Sequence, residues 1–362
     1  MNTFGTYNKD DVVFLLKDIS NLICEENNND REIKIQNGEH YSQMLPIEKS
    51  VSAQYLNLYK EQLENNKEKL AYAIGVMSEK IIKKNGKHIV LVSLARAGTP
   101  IGILAKRYLK ERYNLKLPHY TISIIRDKGI DVNAIKYIVK KHPNSKIQFI
   151  DGWTGKGTIC GELIKSCEDM KSMLGIEIKP TLAVLADPAG YAEIYGARED
   201  FLIPSACLNS IVSGLISRTV LRDDIIGEDD FHGAKFYKEL VNEDQSIRYV
   251  ETIENCFKNQ YKNIDDEVGK YNKEELSKIG DRDILNLQKK YNIEDKNFIK
   301  PGVGETTRVL LRRIPDKIII KDIDDENIAH ILVLAKEKNI EIVQMDLKAY
   351  RCCGIIKNLK DI

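Results

Sequence analysis

The sequence predicts an α/β protein built on a mostly parallel sheet with helices on both faces. Short apolar runs alternate with helix-patterned segments through residues 89–204, which is typical of such sheets. The runs at residues 89–93, 120–125 and 181–186 each fit a buried strand. Ligands of parallel sheets bind at the carboxyl ends of the strands, so we expect a binding site in the loops after these runs.

The segments around this sheet divide the chain into three predicted parts. Residues 1–248 would form the sheet domain with an N-terminal helical extension, because residues 50–84 carry apolar side chains at helical spacing. Residues 249–297 are highly charged and low in glycine and proline, which predicts a helical connector. Residues 298–362 would form a second, small α/β domain that ends in a tail after residue 345.

Composition and charge narrow the class of protein. Hydrophobic residues make up 43% and charged residues 30%, which is ordinary for a globular protein. A net charge of +1 over 362 residues argues against a surface dedicated to nucleic acid or to a membrane. The seven cysteines include no CxxC pair, so neither a disulfide framework nor a zinc site is predicted. The sequence shows no secretory signal and no apolar run of about 18 residues, so we expect a cytoplasmic protein without a membrane span.

A glycine-rich loop stands out between the apolar run at residues 146–150 and a helix-patterned segment that begins at Ile159. Asp151 precedes the loop, whose polar end is Thr154, Gly155, Lys156, Gly157 and Thr158. Glycines let several backbone N–H groups point at one spot, and the N-terminus of a following helix adds its positive dipole end. The spacing excludes a P-loop, and Cys160 replaces the third glycine of a dinucleotide fingerprint. The pattern therefore predicts a phosphate-binding loop of another kind.

This loop resembles the 5-phosphoribosyl-1-pyrophosphate (PRPP) loop of type I phosphoribosyltransferases. A second turn at residues 93–100 follows an earlier strand and resembles the pyrophosphate loop of the same family. The resemblance implies a phosphoribosyltransferase-like (Rossmann-like) fold and PRPP as a small-molecule partner. The implied phosphate contacts are Thr154, Gly155, Lys156, Gly157 and Thr158 for the 5-phosphate, and Ser93, Arg96, Ala97 and Gly98 for the pyrophosphate.

The same resemblance implies the remaining roles. Asp151 would bind the ribose hydroxyls and contact the Mg²⁺ that accompanies PRPP. Arg126 and Lys128 stand where the family has a mobile catalytic lid. The family loop usually carries two adjacent acids, whereas Gly152 follows Asp151 here. The implied acceptor pocket contains Asp187, Gly190, Cys207 and Asn209, with Arg218 beside them.

The whole chain resembles the StiP-type proteins of tellurium-resistance (Ter) stress operons. The resemblance includes the segments at residues 44–48, 205–214 and 230–234. That family is often labelled as cysteine protease, which implies Cys207 as a nucleophile and His232 as its base. The residues alone leave the alternative open that Cys207 is an inert buried thiol.

The last part of the chain resembles the Pelota-type RNA-binding domain. The turn at residues 301–308 opens a helix, and in that family the helix N-terminus and its basic residues bind RNA. The implied RNA contacts are Gly302, Gly304, Glu305, Thr306, Arg308 and Arg312. Gly304 replaces the asparagine of the family turn, and a small α/β protein-interaction domain is the alternative.

Three functional hypotheses follow from the sequence. The first is a Mg²⁺-dependent phosphoribosyltransferase that moves ribose 5-phosphate from PRPP to a base-like or RNA-linked acceptor. The second is a cysteine hydrolase that uses Cys207 and His232. The third is a non-catalytic adaptor that senses a nucleotide and binds RNA. Assembly into a homo-oligomer is compatible with all three.

Overall fold

The computed structural model describes residues 4–48, 53–270 and 277–358, and it confirms the α/β class. The N-terminal elements are β1 (Val13–Phe14), β2 (Lys17–Asp18), β3 (Glu25–Glu26), α1 (Asn28–Gln36), β4 (Leu45–Pro46) and α2 (Ala53–Asn85). The central elements are β5 (Ile89–Leu94), α3 (Gly98–Tyr113), β6 (His119–Ile122), β7 (Ile124–Ile125), β8 (Gly129–Ile130), α4 (Val132–Lys141), β9 (Lys146–Trp153), α5 (Thr158–Leu174), β10 (Leu182–Ala186) and β11 (Ile194–Ala197). They are followed by α6 (Ser205–Leu208), β12 (Gly233–Ala234), α7 (Ser246–Glu254) and α8 (Phe257–Lys270). The last elements are α9 (Gly280–Tyr291), β13 (Ile299–Pro301), α10 (Val303–Arg312), β14 (Pro315–Ile320), α11 (Ala329–Glu337), β15 (Glu341–Gln344) and β16 (Cys352–Ile356).

Six of these strands form one parallel sheet in the order β1-β6-β5-β9-β10-β11. Residue Ser93 of β5 pairs with Ile150 of β9, so the turn after β5 and the loop after β9 leave the same edge of the sheet side by side. The two turns that the sequence singled out are therefore neighbours in space. Parallel sheets bind their ligands at this edge.

Helices cover both faces of the sheet, as predicted. Helices α2 and α3 pack on one face in a large apolar cluster that includes Leu70, Ile74 and Leu104. Helices α4 and α5 pack on the other face around Phe149 and Leu163. The strands are apolar on both sides because both faces are covered. The predicted start of α2 at Ser50 lies outside the described residues.

The C-terminal elements α9 to β16 form a second α/β unit, which we call the C-terminal domain. Its four strands run in the order β13-β16-β14-β15, and β16 is antiparallel to both of its neighbours. The prediction of a tail after residue 345 was wrong at this point, because residues Cys352–Ile356 form a central strand. No turn signal in the sequence separates this strand from the preceding loop.

The two domains share part of their hydrophobic core. The cluster on the α2 side of the large sheet continues through Ala206 of α6 to Val303 and Leu310 of α10. A separate cluster joins Ile284 and Leu287 of α9 to the C-terminal sheet. The sheet domain and the C-terminal domain therefore pack directly on each other. In the part of the chain that the structure describes, no helix is long and apolar enough to cross a membrane.

Candidate functional site

A cavity of 1140 Å³ lies between the two domains, at the edge of the sheet where the glycine-rich loop begins. The sheet domain contributes the loop after β9 and Arg126, and the C-terminal domain contributes residues from β13, α10 and β14. Among the residues that the structure describes, nine lysines and arginines line the cavity against six aspartates and glutamates. The positive surplus is larger than that of the whole chain, whose net charge is +1. The cavity therefore concentrates positive charge at the carboxyl edge of the sheet.

The glycine-rich loop forms one wall of this cavity. Gly157 has a left-handed backbone with φ of 72° and caps α5, which begins at Thr158. The hydroxyl of Thr158 is buried and has no hydrogen-bond partner. The carbonyl of Gly155 accepts a hydrogen bond from the hydroxyl of Tyr350 at 2.8 Å. A helix N-terminus with an unpartnered hydroxyl is a favourable place for an anion.

The other two polar residues of the loop are already engaged. The hydroxyl of Thr154 donates to the carboxylate of Asp187. The ammonium of Lys156 donates to carbonyl groups of Lys296 and Ile299 in the C-terminal domain. Burial lowers the pKa of Lys156 to about 7, and Lys300 and Arg126 lower it further. Lys156, predicted as a phosphate contact, joins the loop to the C-terminal domain in this structure.

Asp151 lines the cavity beside the loop and accepts a hydrogen bond from the N–H of Gly152 at 2.7 Å. Burial raises the pKa of Asp151 to about 7, although Arg308 opposes the shift. In the described residues, no group of three or more His, Cys, Asp or Glu side chains could hold a metal ion. Asp151 is therefore suited to Mg²⁺ only where a ligand's phosphate groups and water supply most of the coordination.

The turn after β5 contributes less to the cavity than predicted, because only Ala97 of its four predicted contacts lines it. The hydroxyl of Ser93 is buried and bonds the ring of His119 at 2.7 Å. The guanidinium of Arg96 donates to the carbonyl of Ile216 and lies 3.8 Å from Glu48. Gly98 begins α3 and packs against the carbonyl of Ile150, where a side chain would clash. Ser93 is thus a core contact and not a phosphate ligand.

The predicted lid is a tight hairpin formed by β7 and β8. Its turn is closed by a hydrogen bond from the N–H of Lys128 to the carbonyl of Ile125 at 3.0 Å. Arg126 lines the cavity and donates to Asn297 of the C-terminal domain at 3.1 Å. Lys128 is exposed and does not line the cavity. Of the two predicted lid residues, only Arg126 is placed to contact a ligand there.

The predicted acceptor-pocket residues lie outside the cavity. Asp187 is fully buried and accepts hydrogen bonds from the N–H groups of Gly190 and Ala192, which fixes the loop after β10. Gly190 has φ of 78° and packs against Ser277. Cys207 lies in α6 and Asn209 follows that helix, and both residues are buried. These residues shape the fold next to the site, and none of them lines the cavity.

Cys207 and His232 contact different parts of the fold. Cys207 is 2% exposed and belongs to the apolar cluster on the α2 side of the sheet. The ring of His232 bonds the hydroxyl of Ser123 at 2.9 Å, and the backbone N–H of His232 donates to the carboxylate of Asp131 at the start of α4. The cysteine that does line the cavity is Cys160, near the start of α5. Burial raises the pKa of the Cys160 thiol to about 12, and Asp187 and Asp151 add to the shift.

The predicted RNA contacts face the sheet domain. Gly302 packs against Asp200, which accepts the N–H of Val303 at 2.9 Å, and Gly304 packs near Trp153 and Ala206. Thr306 is fully buried. Glu305 and Arg308 form an ion pair at 2.9 Å, and both line the cavity. The side chain of Arg312 lies outside the described residues. The sheet domain therefore covers the start of α10, and the Glu305–Arg308 pair of this helix faces the cavity.

Among the described residues, five further cavity cations were not identified from the sequence. They are Arg31 of α1, Lys300 of β13, Arg313 after α10, Lys317 of β14 and Lys357. They are spread from residue 31 to residue 357, and no local motif surrounds any of them. Only the packing of α1 and the C-terminal domain against the sheet brings them together.

The fold and the cavity define a two-domain α/β protein with a glycine-rich loop at the domain interface. Residues 5–254 match the family described as tellurite-like stress resistance cysteine protease StiP, and residues 278–358 match the PELOTA RNA binding domain. A curated relative, named cysteine protease StiP, comes from Acinetobacter baylyi. It is 33% identical over 369 residues, covering 98% of this chain and 94% of the relative. The chain belongs to the StiP family.

A solved structure was also matched. It is the crystal structure of a hypothetical protein from Neisseria gonorrhoeae with bound ppGpp. The match has 14% sequence identity and a TM-score of 0.22, and it covers 33% of this chain and 65% of that chain.

The comparisons correct the first functional hypothesis. The family and the curated relative are both named cysteine protease, which is a hydrolase and not a phosphoribosyltransferase. The prediction of a phosphoribosyltransferase was therefore wrong. The predictions of a StiP-type protein and of a Pelota RNA-binding domain are confirmed.

Proposed function

We propose that this StiP-family chain binds a phosphate-bearing sugar or nucleotide in the cavity between its two domains. The observation that carries the proposal is the start of α5 at Thr158, which lines a cavity with surplus positive charge and where the hydroxyl of Thr158 is buried without a hydrogen-bond partner. A phosphate there would accept from the hydroxyl and from helix N–H groups. Mg²⁺ would arrive with the ligand, with Asp151 as its protein contact.

Calorimetric titration of the full chain with PRPP and Mg²⁺ tests this proposal, with PRPP used as a phosphate-bearing probe. We expect micromolar affinity, which corresponds to about −8 kcal/mol. Thr158→Val should weaken binding about tenfold or more, because a hydrogen bond to a charged group is lost. Thr252→Val, on α7 and away from the cavity, is the matched control and should bind normally. No heat with the wild-type protein, or equal affinity for both variants, would contradict the proposal.

A second candidate is cysteine hydrolysis, which the family name favours. Cys160 is the cysteine that lines the cavity, and it lies near the positive end of α5, where a thiolate is favoured. The raised pKa of its thiol opposes that effect. A hydrolase would therefore need a change at the site that exposes Cys160 or neutralises Asp151 and Asp187.

Hydrolysis of denatured casein separates the two candidates. If Cys160 is the nucleophile, Cys160→Ala should abolish hydrolysis while Cys207→Ala retains it. The reverse pattern would assign the reaction to Cys207, and no hydrolysis by the wild-type protein would leave binding as the function. Circular dichroism of both variants checks that each one folds.

We also propose RNA as a partner, on the basis of the Pelota domain. Because Glu305 and Arg308 line the cavity, a nucleotide bound at this pair would lie beside the glycine-rich loop. Fluorescence anisotropy with a labelled kink-turn RNA, beside a linear duplex of equal length, measures this binding. We expect Arg308→Gln to weaken binding of the kink-turn RNA; equal binding of both RNAs, unaffected by the substitution, would contradict specific recognition at this pair.

A further inference from the structure

A short segment of the C-terminal domain borders the cavity and contacts the glycine-rich loop. It lies between α9 and β13, and Asp295, Asn297 and Phe298 line the cavity. We call residues 295–298 the strap. Residues Lys296–Phe298 form one turn of 3-10 helix, and the carboxylate of Asp295 caps this turn by accepting the N–H of Asn297 at 2.8 Å.

The ammonium of Lys156, in the glycine-rich loop, donates to the strap and to the strand that follows it. Its acceptors are the carbonyl of Lys296 at 2.5 Å, the Oδ1 atom of Asn297 at 3.4 Å and the carbonyl of Ile299 in β13 at 3.3 Å. An ammonium has three N–H donors, and three acceptors engage all of them. The donors of Lys156 are therefore committed to the C-terminal domain.

A second cation of the sheet domain holds the same strap. Arg126, in the hairpin of β7 and β8, donates to the Oδ1 atom of Asn297 at 3.1 Å. One oxygen of the strap thus accepts from two separate loops of the sheet domain. Lys156 and Arg126 both line the cavity, where a bound ligand would meet them.

The acceptors of the strap leave the charge of Lys156 uncompensated, because they are neutral oxygens. Burial lowers the pKa of Lys156, and nearby cations lower it further: Lys300, Arg126 and Lys296. An ammonium in such surroundings gains more from an anionic acceptor than from an amide oxygen, because the opposite charges attract as well. A phosphate group at the glycine-rich loop would therefore compete with the strap for Lys156.

The strap itself is lightly anchored. Asp295 and Lys296 are exposed and Asn297 and Phe298 are half-buried, whereas Ile299 is the first buried residue after them. A single 3-10 turn has few internal hydrogen bonds, and exposed turns of this kind open at low cost in free energy. The strap can therefore move away while β13 stays paired with β16.

We propose that the strap and the phosphate of the ligand compete for Lys156 and Arg126, so that binding at the glycine-rich loop releases the strap. This inference rests on the proposed function, because it needs a phosphate to bind at the start of α5. Competition is reciprocal: a ligand that weakens the strap contacts binds more tightly to a chain that lacks them. The strap thus makes the C-terminal domain a regulator of the site.

Hydrogen–deuterium exchange of the full chain, without and with saturating PRPP and Mg²⁺, tests the release. The N–H groups of Asn297 and Phe298 report it, because both are bonded to Asp295 within the strap. With PRPP we expect about tenfold faster exchange in the strap and slower exchange at residues 154–158. A ligand that only filled the cavity would slow exchange in both segments. Unchanged or slower exchange in the strap at saturation would overturn the proposal.

Replacement of Lys156 should release the strap without any ligand. In Lys156→Gln we expect the strap to exchange as fast as it does in the wild-type protein with PRPP, and PRPP should raise the rate no further. Lys165→Gln is the matched control, because it removes an exposed cation of α5 outside the cavity and should leave the strap protected. Thermal unfolding verifies that both variants are folded. A strap that stays protected in Lys156→Gln would contradict the proposal.

Asn297→Ala tests the competition in the opposite direction, because it removes the acceptor that Lys156 and Arg126 share. Calorimetry should show about fivefold tighter binding of PRPP, the equivalent of one hydrogen bond. Asn263→Ala replaces an exposed asparagine of α8 outside the cavity and should leave the affinity unchanged. Equal or weaker binding by Asn297→Ala would show that the strap does not compete with the ligand.

The outcomes separate this inference from the proposed function. Thr158-dependent binding of PRPP, with a strap that stays protected, would overturn the release of the strap alone. No binding of PRPP by the wild-type protein would overturn the proposed function together with the inference.

Discussion

Individual side chains in the cavity are held in unusual protonation states by burial. Asp151 shows this most directly, because its pKa is raised to about 7 in the folded chain, whereas an unfolded aspartate has a pKa of about 3.9. Between these values the unfolded chain releases the proton and the folded chain keeps it. Stability is therefore lost as the pH rises through this window.

Replacement of Asp151 by asparagine should remove this pH-dependent loss. Asparagine keeps an oxygen that can accept the N–H of Gly152, but it does not ionise. We expect no stability advantage of Asp151→Asn over the wild-type protein at pH 4 and an advantage of about 2 °C or more in melting temperature at pH 8. Thermal unfolding across this pH range measures it, and an advantage of the same size at every pH would contradict the assignment.

The protonation behaviour of Arg218, Lys300 and Asp151 could be described only from the folded structure, because burial and neighbouring charge define it. Asp151 and the loop of residues 154–158, which the sequence singled out, line the cavity. The sequence could single them out because a strand, glycines and a helix start in order form a local pattern. It assigned Ser93 and Lys128 wrongly to the site. Their side-chain direction depends on neighbours that are distant in the chain, such as His119 for Ser93.

Among the structural elements, the start of α3 shows how closely the two sheet-edge turns pack. A Cβ atom at Gly98 would clash with the carbonyl oxygen of Ile150 in β9. Neither partner can move without displacing α3 or the central strand. The glycine is thus required by the close approach of two backbones.

We expect Gly98→Ala to lower the free energy of unfolding by about 1–3 kcal/mol, as overpacking typically does. Gly161→Ala on α5 is the matched control, because a Cβ there meets nothing within 4 Å. The free energy of unfolding of that control should rise by about 1 kcal/mol, because alanine has a better helix propensity than glycine. Urea unfolding measures both variants, and equal effects of the two would exclude the clash.

Besides Lys156, a tyrosine hydroxyl also connects the glycine-rich loop to the C-terminal domain. Tyr350 is buried and donates to the carbonyl of Gly155 at 2.8 Å. We expect Tyr350→Phe to lower the free energy of unfolding by about 1 kcal/mol, because one hydrogen bond is lost and the ring is kept. Urea unfolding measures this change. Tyr291→Phe serves for comparison, since the hydroxyl of Tyr291 is buried without a partner and its removal should be neutral or stabilising. A larger loss at Tyr291 than at Tyr350 would refute this reading of the contact.

For the molecule as a whole, the interface between the two domains determines the position and the lining of the cavity. Asp200 of the sheet domain accepts N–H groups of Val303 and Arg351 at 2.9 and 2.8 Å. Arg351 also pairs with Glu199. Together with the shared apolar cluster, these contacts make the two domains one cooperative unit.

Removal of the Asp200 carboxylate should uncouple the domains. Asp200→Ala leaves two buried N–H groups without acceptors, each at a cost of about 1–3 kcal/mol. We expect one urea transition for the wild-type protein and two for the variant, with faster hydrogen exchange at the N–H groups of Val303 and Arg351. Asp224→Ala removes an exposed carboxylate and should retain the single transition. A single transition in Asp200→Ala with unchanged exchange would show that Asp200 does not couple the domains.

The sequence by itself determined the α/β class, the parallel sheet and the glycine-rich loop, because hydrophobic periodicity and turn residues are local signals. It also identified the family and the Pelota domain. Only the tertiary structure decided that the start of α10 faces the sheet domain and that Cys207 and His232 contact different parts of the fold. It also decided that cations from distant segments of the chain line one cavity. These features depend on which surfaces pack together, and packing between distant segments leaves no periodic trace in the chain.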